Sequence, residues 1–351
     1  MARLQTPRPL RPGDRIGVTA PSSGVQPEMR PRLEVAVRSL EARGYEVVLG
    51  ECLGTPGVVS APKEQRAAEL TAMLADPTIR AVAPPWGGEL AIDLVDQLDW
   101  EVLREAEPTW LVGYSDLTTL MLPITLRLGW ATLHGANLMD TPYDPPAGLL
   151  HWTDLASGPG PFTQSSPGRY RSTGWDDYVG HPEVSTLTLD APGGWRVLSE
   201  GRGDEPVDVT GRLVGGCLEV VGPLAATPYG DVRAFGREHA DDGLVVYLEA
   251  CEDGAYSIAR VLHSLRLAGW FEHANAVLIG RTSAPDAPDL TQTGAVVDAL
   301  GDLGIPVVLD VECGHVAPYL PLVNGALAHV VVDGERREVT QTLAEAVPFG
   351  P

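Results

Sequence analysis

Along the first ~150 residues, short β-type runs alternate with amphipathic helical stretches, and no other feature constrains the fold as strongly. Such alternation is the mark of a mostly parallel sheet with helices on its faces. The runs "RIGVTAP" (15–21), "YEVVLG" (45–50), "RAVAPP" (80–85), "TWLVG" (109–113) and "WATLHG" (130–135) read as strands. Helices are expected between them over about 28–43, 62–76, 89–99 and 116–128. Pro123 lies inside the last of these and should kink or shorten it, because it removes a backbone donor.

The alternation stops at "SGPGPFTQSSPGRYRSTGWDDYVGHP" (157–182). Tyr170, Trp175 and Tyr178 favour a binding loop here over a disordered linker, which is typically poor in aromatics. Periodicity returns with "GRLVGGCLEVV" (211–221), "GLVVYLEA" (243–250) and a helix marked by Ile258, Val261, Leu262 and Leu265. "NAVLIG" (275–280) and "IPVVLD" (305–310) are further strands, and "AHVVVDGERREVTQ" (328–341) is a hairpin turning at Asp333 and Gly334. At 351 residues the chain exceeds the usual span of one core. Two domains are expected: an α/β domain over 1–155, and a smaller α+β domain over 156–351 entered through a loop-rich segment, 156–205.

Composition removes several classes of function. Asp and Glu number 47 against 25 Lys and Arg, a formal charge of −22 that opposes any general grip on a nucleic acid polymer. Lys63 is the one lysine, which excludes a P-loop and disfavours Schiff-base chemistry. There is neither a membrane-length apolar run nor an apolar stretch behind the basic N-terminus, so a cytoplasmic protein is expected. Cys52, Cys217, Cys251 and Cys313 are too scattered for a metal or redox motif. They read as small buried residues, with Cys313 kept open because it adjoins Gly314 and His315.

"LVGYSDLTTL" (111–120) carries the first chemical signal, a serine on the corner between a strand and a helix. A nucleophile elbow has that context, and Gly113 stands two residues before Ser115. The position two after it is Leu117 instead of glycine, and a serine there could equally cap the helix. A nucleophilic serine needs a base, and the base an orienting carboxylate. Of eight histidines, His134 and His315 would lie just past the carboxyl ends of strands, where ligands approach an α/β sheet. Glu249 ends the apolar strand "LVVYLE" and is costly to bury there without a partner. In "PPWGGELA" (84–91), Gly87 and Gly88 could aim backbone N–H groups into a cleft as an oxyanion hole, together with the N–H of Asp116.

Taken in order, "PGDRIGVTAPSSG", "WGGELAIDLVDQLDW", "LVGYSDLTTL", "GRLVGGCLEVVGPLAATPYGD", "LVVYLEACEDGAYSIARVLHSLRLAGWF" and "GHVAPYLPLVNGA" resemble the LD-carboxypeptidases. These are serine peptidases that include muramoyl-tetrapeptide carboxypeptidases and microcin C immunity peptidases. The resemblance implies a Rossmann-like N-terminal domain joined to a smaller C-terminal one, with Ser115 as nucleophile, His315 as general base and Glu249 as the acid that orients it. It also implies an oxyanion hole at Gly87, Gly88 and Asp116, a homodimer, serine chemistry that requires no metal or cofactor, and a small peptide or peptidyl-nucleotide as substrate.

"WGGELA" and the loop around Trp175 look more like the immunity branch than the "GGYG" of recycling enzymes, and Trp175 could stack on a nucleobase. Against this, Cys217 stands where the family often has Asn, at a position expected to touch substrate. Cleavage of murein tetrapeptide is the alternative within the family. Two further readings come from other classes: a non-catalytic binding protein in which Ser115 only caps a helix, and a cysteine hydrolase using Cys313 or Cys251. The second is disfavoured for Cys313, because it lies only two residues from His315.

Overall fold

A computed structural model of the chain describes residues 3–54, 57–198 and 206–344. The expected strands of the first half form as β1 (Arg15–Val18), β2 (Glu46–Leu49), β3 (Ile79–Val82), β4 (Trp110–Gly113) and β5 (Thr132–His134). They are parallel and lie in the order β2-β1-β3-β4-β5, so the order reverses at β1. Ligands of open α/β sheets bind at such a reversal, outside the carboxyl ends of the strands. The helices are α1 (Arg30–Ala42), α2 (Lys63–Ala75), α3 (Trp100–Glu105) and α4 (Thr118–Leu128).

Two expectations for this half are corrected. The segment 89–99 forms only a 3-10 turn at Ala91–Leu94, and the α-helix begins later, with Asp99 accepting from Val102 N as its cap. Side chains from elsewhere take the polar groups a helix would have paired: Ala91 N donates to Asp116, and Arg66 donates to Leu90 O and Asp93. Pro123, in contrast, does not shorten α4. All residues of that helix but Arg127 are buried, and the apolar burial outweighs a local penalty of about 3 kcal/mol.

The second half contributes β6 (Phe162–Ser165), β7 (Arg169–Tyr170), β8 (Ala191–Pro192), β9 (Arg196–Val197) and β10 (Val207–Cys217). After these come β11 (Leu244–Glu249), β12 (Ala274–Gly280), β13 (Val307–Val311), β14 (Leu322–Asn324), β15 (Leu327–Asp333) and β16 (Arg336–Thr342). An eight-stranded sheet runs β6-β16-β15-β10-β11-β12-β13-β9, with β10 to β13 parallel at its centre. The helices are α5 (Trp152–Leu155), α6 (Leu218–Val221), α7 (Val232–Glu238), α8 (Ala255–Leu267) and α9 (Gln292–Leu300). α8 buries Ile258, Leu262 and Leu265, each contributing about 1.5–3 kcal/mol. The last part of the loop-rich segment, 199–205, lies outside the described residues.

The chain then crosses back. β14 pairs antiparallel with β5 and joins the first sheet. Buried Asn324 on β14 donates to Thr132 of β5 at 3.1 Å and accepts from Gly215 N and the Tyr247 hydroxyl, which belong to β10 and β11. One apolar cluster includes Val112 and Leu133 of the first sheet with Leu213, Tyr247 and Leu278 of the second. The two sheets are thereby held in one arrangement, and the loops after β3, β4, β11 and β13 share one cleft.

Candidate active site

Ser115 follows β4 directly and has φ +65°, one of two non-glycine residues with positive φ among those described. A left-handed serine at a strand-to-helix corner is strained, and such strain is retained where the surrounding structure dictates it. The missing second glycine of the elbow is accounted for by packing. Leu117 lies over Gly113, where a Cβ would meet the Leu117 side chain at 2.3 Å. Ser115 is not a helix cap: Tyr114 occupies that position, and no side chain caps the turn.

Gly87 packs against the serine, and a Cβ there would lie 2.8 Å from Ser115 Cβ and 2.9 Å from Asp116 N. Gly88 backs onto Ser22 and Ser23. The Asp116 side chain is buried and accepts from Ser22 Oγ at 2.5 Å and Ala91 N at 2.7 Å. It fastens the loops after β1, β3 and β4 to one another.

Glu249 ends β11 fully buried, and its Oε2 lies 2.7 Å from His315 Nδ1. Gly314 allows this: with φ +103° it passes over the carboxylate so closely that a Cβ would sit 2.3 Å from Oε2. Burial by itself would raise the Glu249 pKa, but the charge of His315 and the polar imidazole of His134 alongside outweigh it and hold it at about 2. For His315, burial would lower the pKa, and the Glu249 charge, with the hydrogen bonds that the imidazole donates to Cys251 and Glu249, holds it well above the ordinary histidine value. Charge attraction in a dry site governs both shifts. His134, the other histidine kept open, is buried at the end of β5 with Nε2 3.9 Å from Glu249 Oε1.

A cavity of about 530 Å³ brings together Ser115, His315, Gly87, Gly88, Trp86 and Trp175, with Cys251 also on its wall. Trp175 is 55 % exposed, and its ring stands edge-on to His315 at 6.4 Å. Cys217 does not line this cavity. It is buried beside Glu249 in the β10–β11 register, and its thiol donates to Glu219 at 3.0 Å. Burial pushes the thiols of Cys217 and Cys313 well above their ordinary value, which leaves both inert.

Two family descriptions match the chain: the LD-carboxypeptidase N-terminal domain over residues 16–135 and the LD-carboxypeptidase C-terminal domain over 210–330. The chain belongs to the LD-carboxypeptidase family. It is a serine peptidase. A putative carboxypeptidase of Streptomyces coelicolor is 31 % identical over 340 residues, 95 % of each chain. The microcin C7 self-immunity protein MccF of Escherichia coli is 23 % identical over 345 residues, 95 % of each chain. The probable murein peptide carboxypeptidase of Bacillus subtilis is 26 % identical over 329 residues, 92 % of this chain and 90 % of that one. Among solved structures, MccF in complex with glutamyl sulfamoyl guanosine shares the fold, with a TM-score of 0.78 at 20 % identity over 98 % of this chain and 100 % of the other.

Three features of this LD-carboxypeptidase were missed in the sequence. Glu219 accepts from the backbone N–H groups of Cys251, Glu252 and Asp253 at 2.7, 3.0 and 3.2 Å, which fixes the loop that presents Cys251. Tyr114 packs edge-on to His315 at 5.0 Å. Asp140 accepts from Tyr178 at 2.7 Å and from Tyr114 at 3.4 Å, and burial raises its pKa. These contacts join residues far apart in the chain, and no local pattern announces them.

Proposed function

We propose that Ser115, His315 and Glu249 form a Ser-His-Glu triad for amide hydrolysis. Ser115 Oγ attacks the substrate carbonyl and passes its proton to His315, whose Nδ1 is held by Glu249. Negative charge on the tetrahedral carbonyl oxygen is met by backbone N–H groups at Gly87, Gly88 and Asp116. His315 gives the proton to the leaving amine, an acyl-serine ester forms, and water admitted to the cleft releases the acyl group by the same proton route. Ser115 and His315 come from the edges of different sheets, so turnover depends on how those sheets are held.

For the substrate, the observation that carries the reading is the aromatic lining of the cavity. Trp86, Tyr114, Trp175 and Tyr178 surround Ser115, and flat apolar walls suit a nucleobase. MccF, which shares the fold, has been captured with aspartyl sulfamoyl adenosine. We therefore favour an aminoacyl- or peptidyl-nucleotide over murein tetrapeptide. Hydrolysis of an aminoacyl sulfamoyl adenosine should exceed that of an L,D-tetrapeptide, and Trp175→Ala should raise KM for the nucleotide substrate with little change in kcat. Faster turnover of the tetrapeptide would reverse the choice. No helix among the described residues is long and apolar enough to cross a membrane. The homodimer implied by the family resemblance and the cytoplasmic location expected from the sequence complete the proposal, and sedimentation of the purified protein tests the dimer.

A further inference from the structure

His134 lies opposite Gly113 in the β4–β5 register, so it belongs to the sheet that carries Ser115. Glu249 belongs to the other sheet. His134 Nε2 and Glu249 Oε1 face each other at 3.9 Å, both buried, and among the described residues neither atom has a hydrogen-bond partner. Two orphaned polar atoms in one dry place are each costly, because hydration is surrendered without replacement. Their separation exceeds a hydrogen bond by about 1 Å, and hydrogen bonds of an unloaded site often tighten only with substrate. Tyr114 and Tyr247 hold the imidazole edge-on, at ring separations of 6.3 and 5.2 Å.

We propose that His134 is a positioning residue for Glu249: its imidazole donates the Nε2 proton to Oε1 as the cleft is loaded, leaving Oε2 for His315. This inference rests on the triad reading above. It adds a fourth member to the relay, supplied by the nucleophile's own sheet. Removing the donor leaves the Glu249 charge less dispersed, so that it holds the His315 imidazolium more tightly. The base then sheds its proton only at higher pH.

The other titratable groups facing Glu249 are Cys217 and Cys313, and those facing His134 are Tyr114 and Tyr247. Burial pushes all four up, so they stay neutral through the working range. Cys251 lies against His315 itself.

The test combines histidine 15N NMR of the unmodified protein with pH profiles of His134→Phe and His134→Gln. His134 is expected as the Nε2-protonated tautomer; a proton on Nδ1 with a bare Nε2 would overturn the proposal, whether or not the variants fold. In His134→Phe the acid limb of kcat/KM should move up by about half a pH unit or more, with kcat down about tenfold. His134→Gln, whose amide can donate, should recover both. An unmoved acid limb in the Phe variant also contradicts the role. Fluorophosphonate labelling of Ser115 in the same samples separates the two readings. Absence of label in the unmodified protein counts against the triad, whereas label with an unmoved limb removes His134 alone.

Discussion

His315 Nδ1 and Glu249 Oε2 lie 2.7 Å apart at the carboxyl edge of the second sheet, one residue from a strand end and the other from the loop after β13. In the proposed triad this pair sets the pH dependence. His315 must be neutral to accept a proton, and its pKa is held well above the ordinary value of 6.5. Activity should therefore rise with pH along an acid limb that lies above pH 6.5. In Glu249→Gln the attraction is lost and burial is opposed only by the Cys251 contact, so the limb should fall below that of the unmodified enzyme. Turnover should drop by about a thousandfold through misorientation of the imidazole. A pH–rate profile of both proteins checks the direction.

The same pair affects stability with opposite signs. Glu249, depressed from 4.5 to about 2, contributes stability that is complete above its unfolded pKa and is lost as pH falls toward 2. His315, raised, contributes stability that is complete below 6.5 and is lost as pH climbs through its folded value. Denaturant titrations of the unmodified protein and Glu249→Gln should differ most between about pH 4.5 and 6.5 and converge on either side.

Gly87→Ala tests the serine's immediate surroundings. The new methyl would meet Ser115 Cβ at 2.8 Å and Asp116 N at 2.9 Å, both on a turn that cannot retreat freely. A folded protein with kcat lowered about a hundredfold or more is expected, the scale of losing one oxyanion donor. Circular dichroism and single-turnover kinetics measure the two halves of that statement.

Asp116→Ala should act on folding. It would leave Ser22 Oγ and Ala91 N without their acceptor in a buried place, at a cost on the order of 3 kcal/mol. Thermal or urea unfolding reads this loss, and Asp116→Asn, which keeps one acceptor, should lose less.

Cys251 is the cysteine on the cavity wall, beside His315. Alkylation with iodoacetamide should abolish activity by filling the space substrate needs, while Cys251→Ser stays active and resists the reagent. Loss of activity in Cys251→Ser would favour the cysteine reading of the site. Cys313→Ala should leave turnover nearly intact.

Much of this arrangement was legible because local chemistry forced it. The strands around Ile16, Val48, Val82, Val112 and Leu133 are short apolar runs between helical patterns, and a parallel sheet follows from them. A glutamate closing the apolar run of β11 demanded a partner, whereas the choice of His315 over His134 came only with the family resemblance. The illegible parts depend on tertiary contacts. Segment 89–99 carries a helical apolar pattern, yet Asp116 and Arg66 hold it in turns. Leu322–Asn324 is too short to show that it leaves its own sheet for the first. Glu219 resembles any solvated acid until three backbone N–H groups are seen to converge on it.

Whether Ser115 is the nucleophile is tested most directly by mass spectrometry of the protein after reaction with a fluorophosphonate. A single adduct is expected on the peptide containing Ser115, absent in Ser115→Ala and markedly slowed in His315→Ala. An adduct that persists in Ser115→Ala, or full peptidase activity in that variant, would contradict that role.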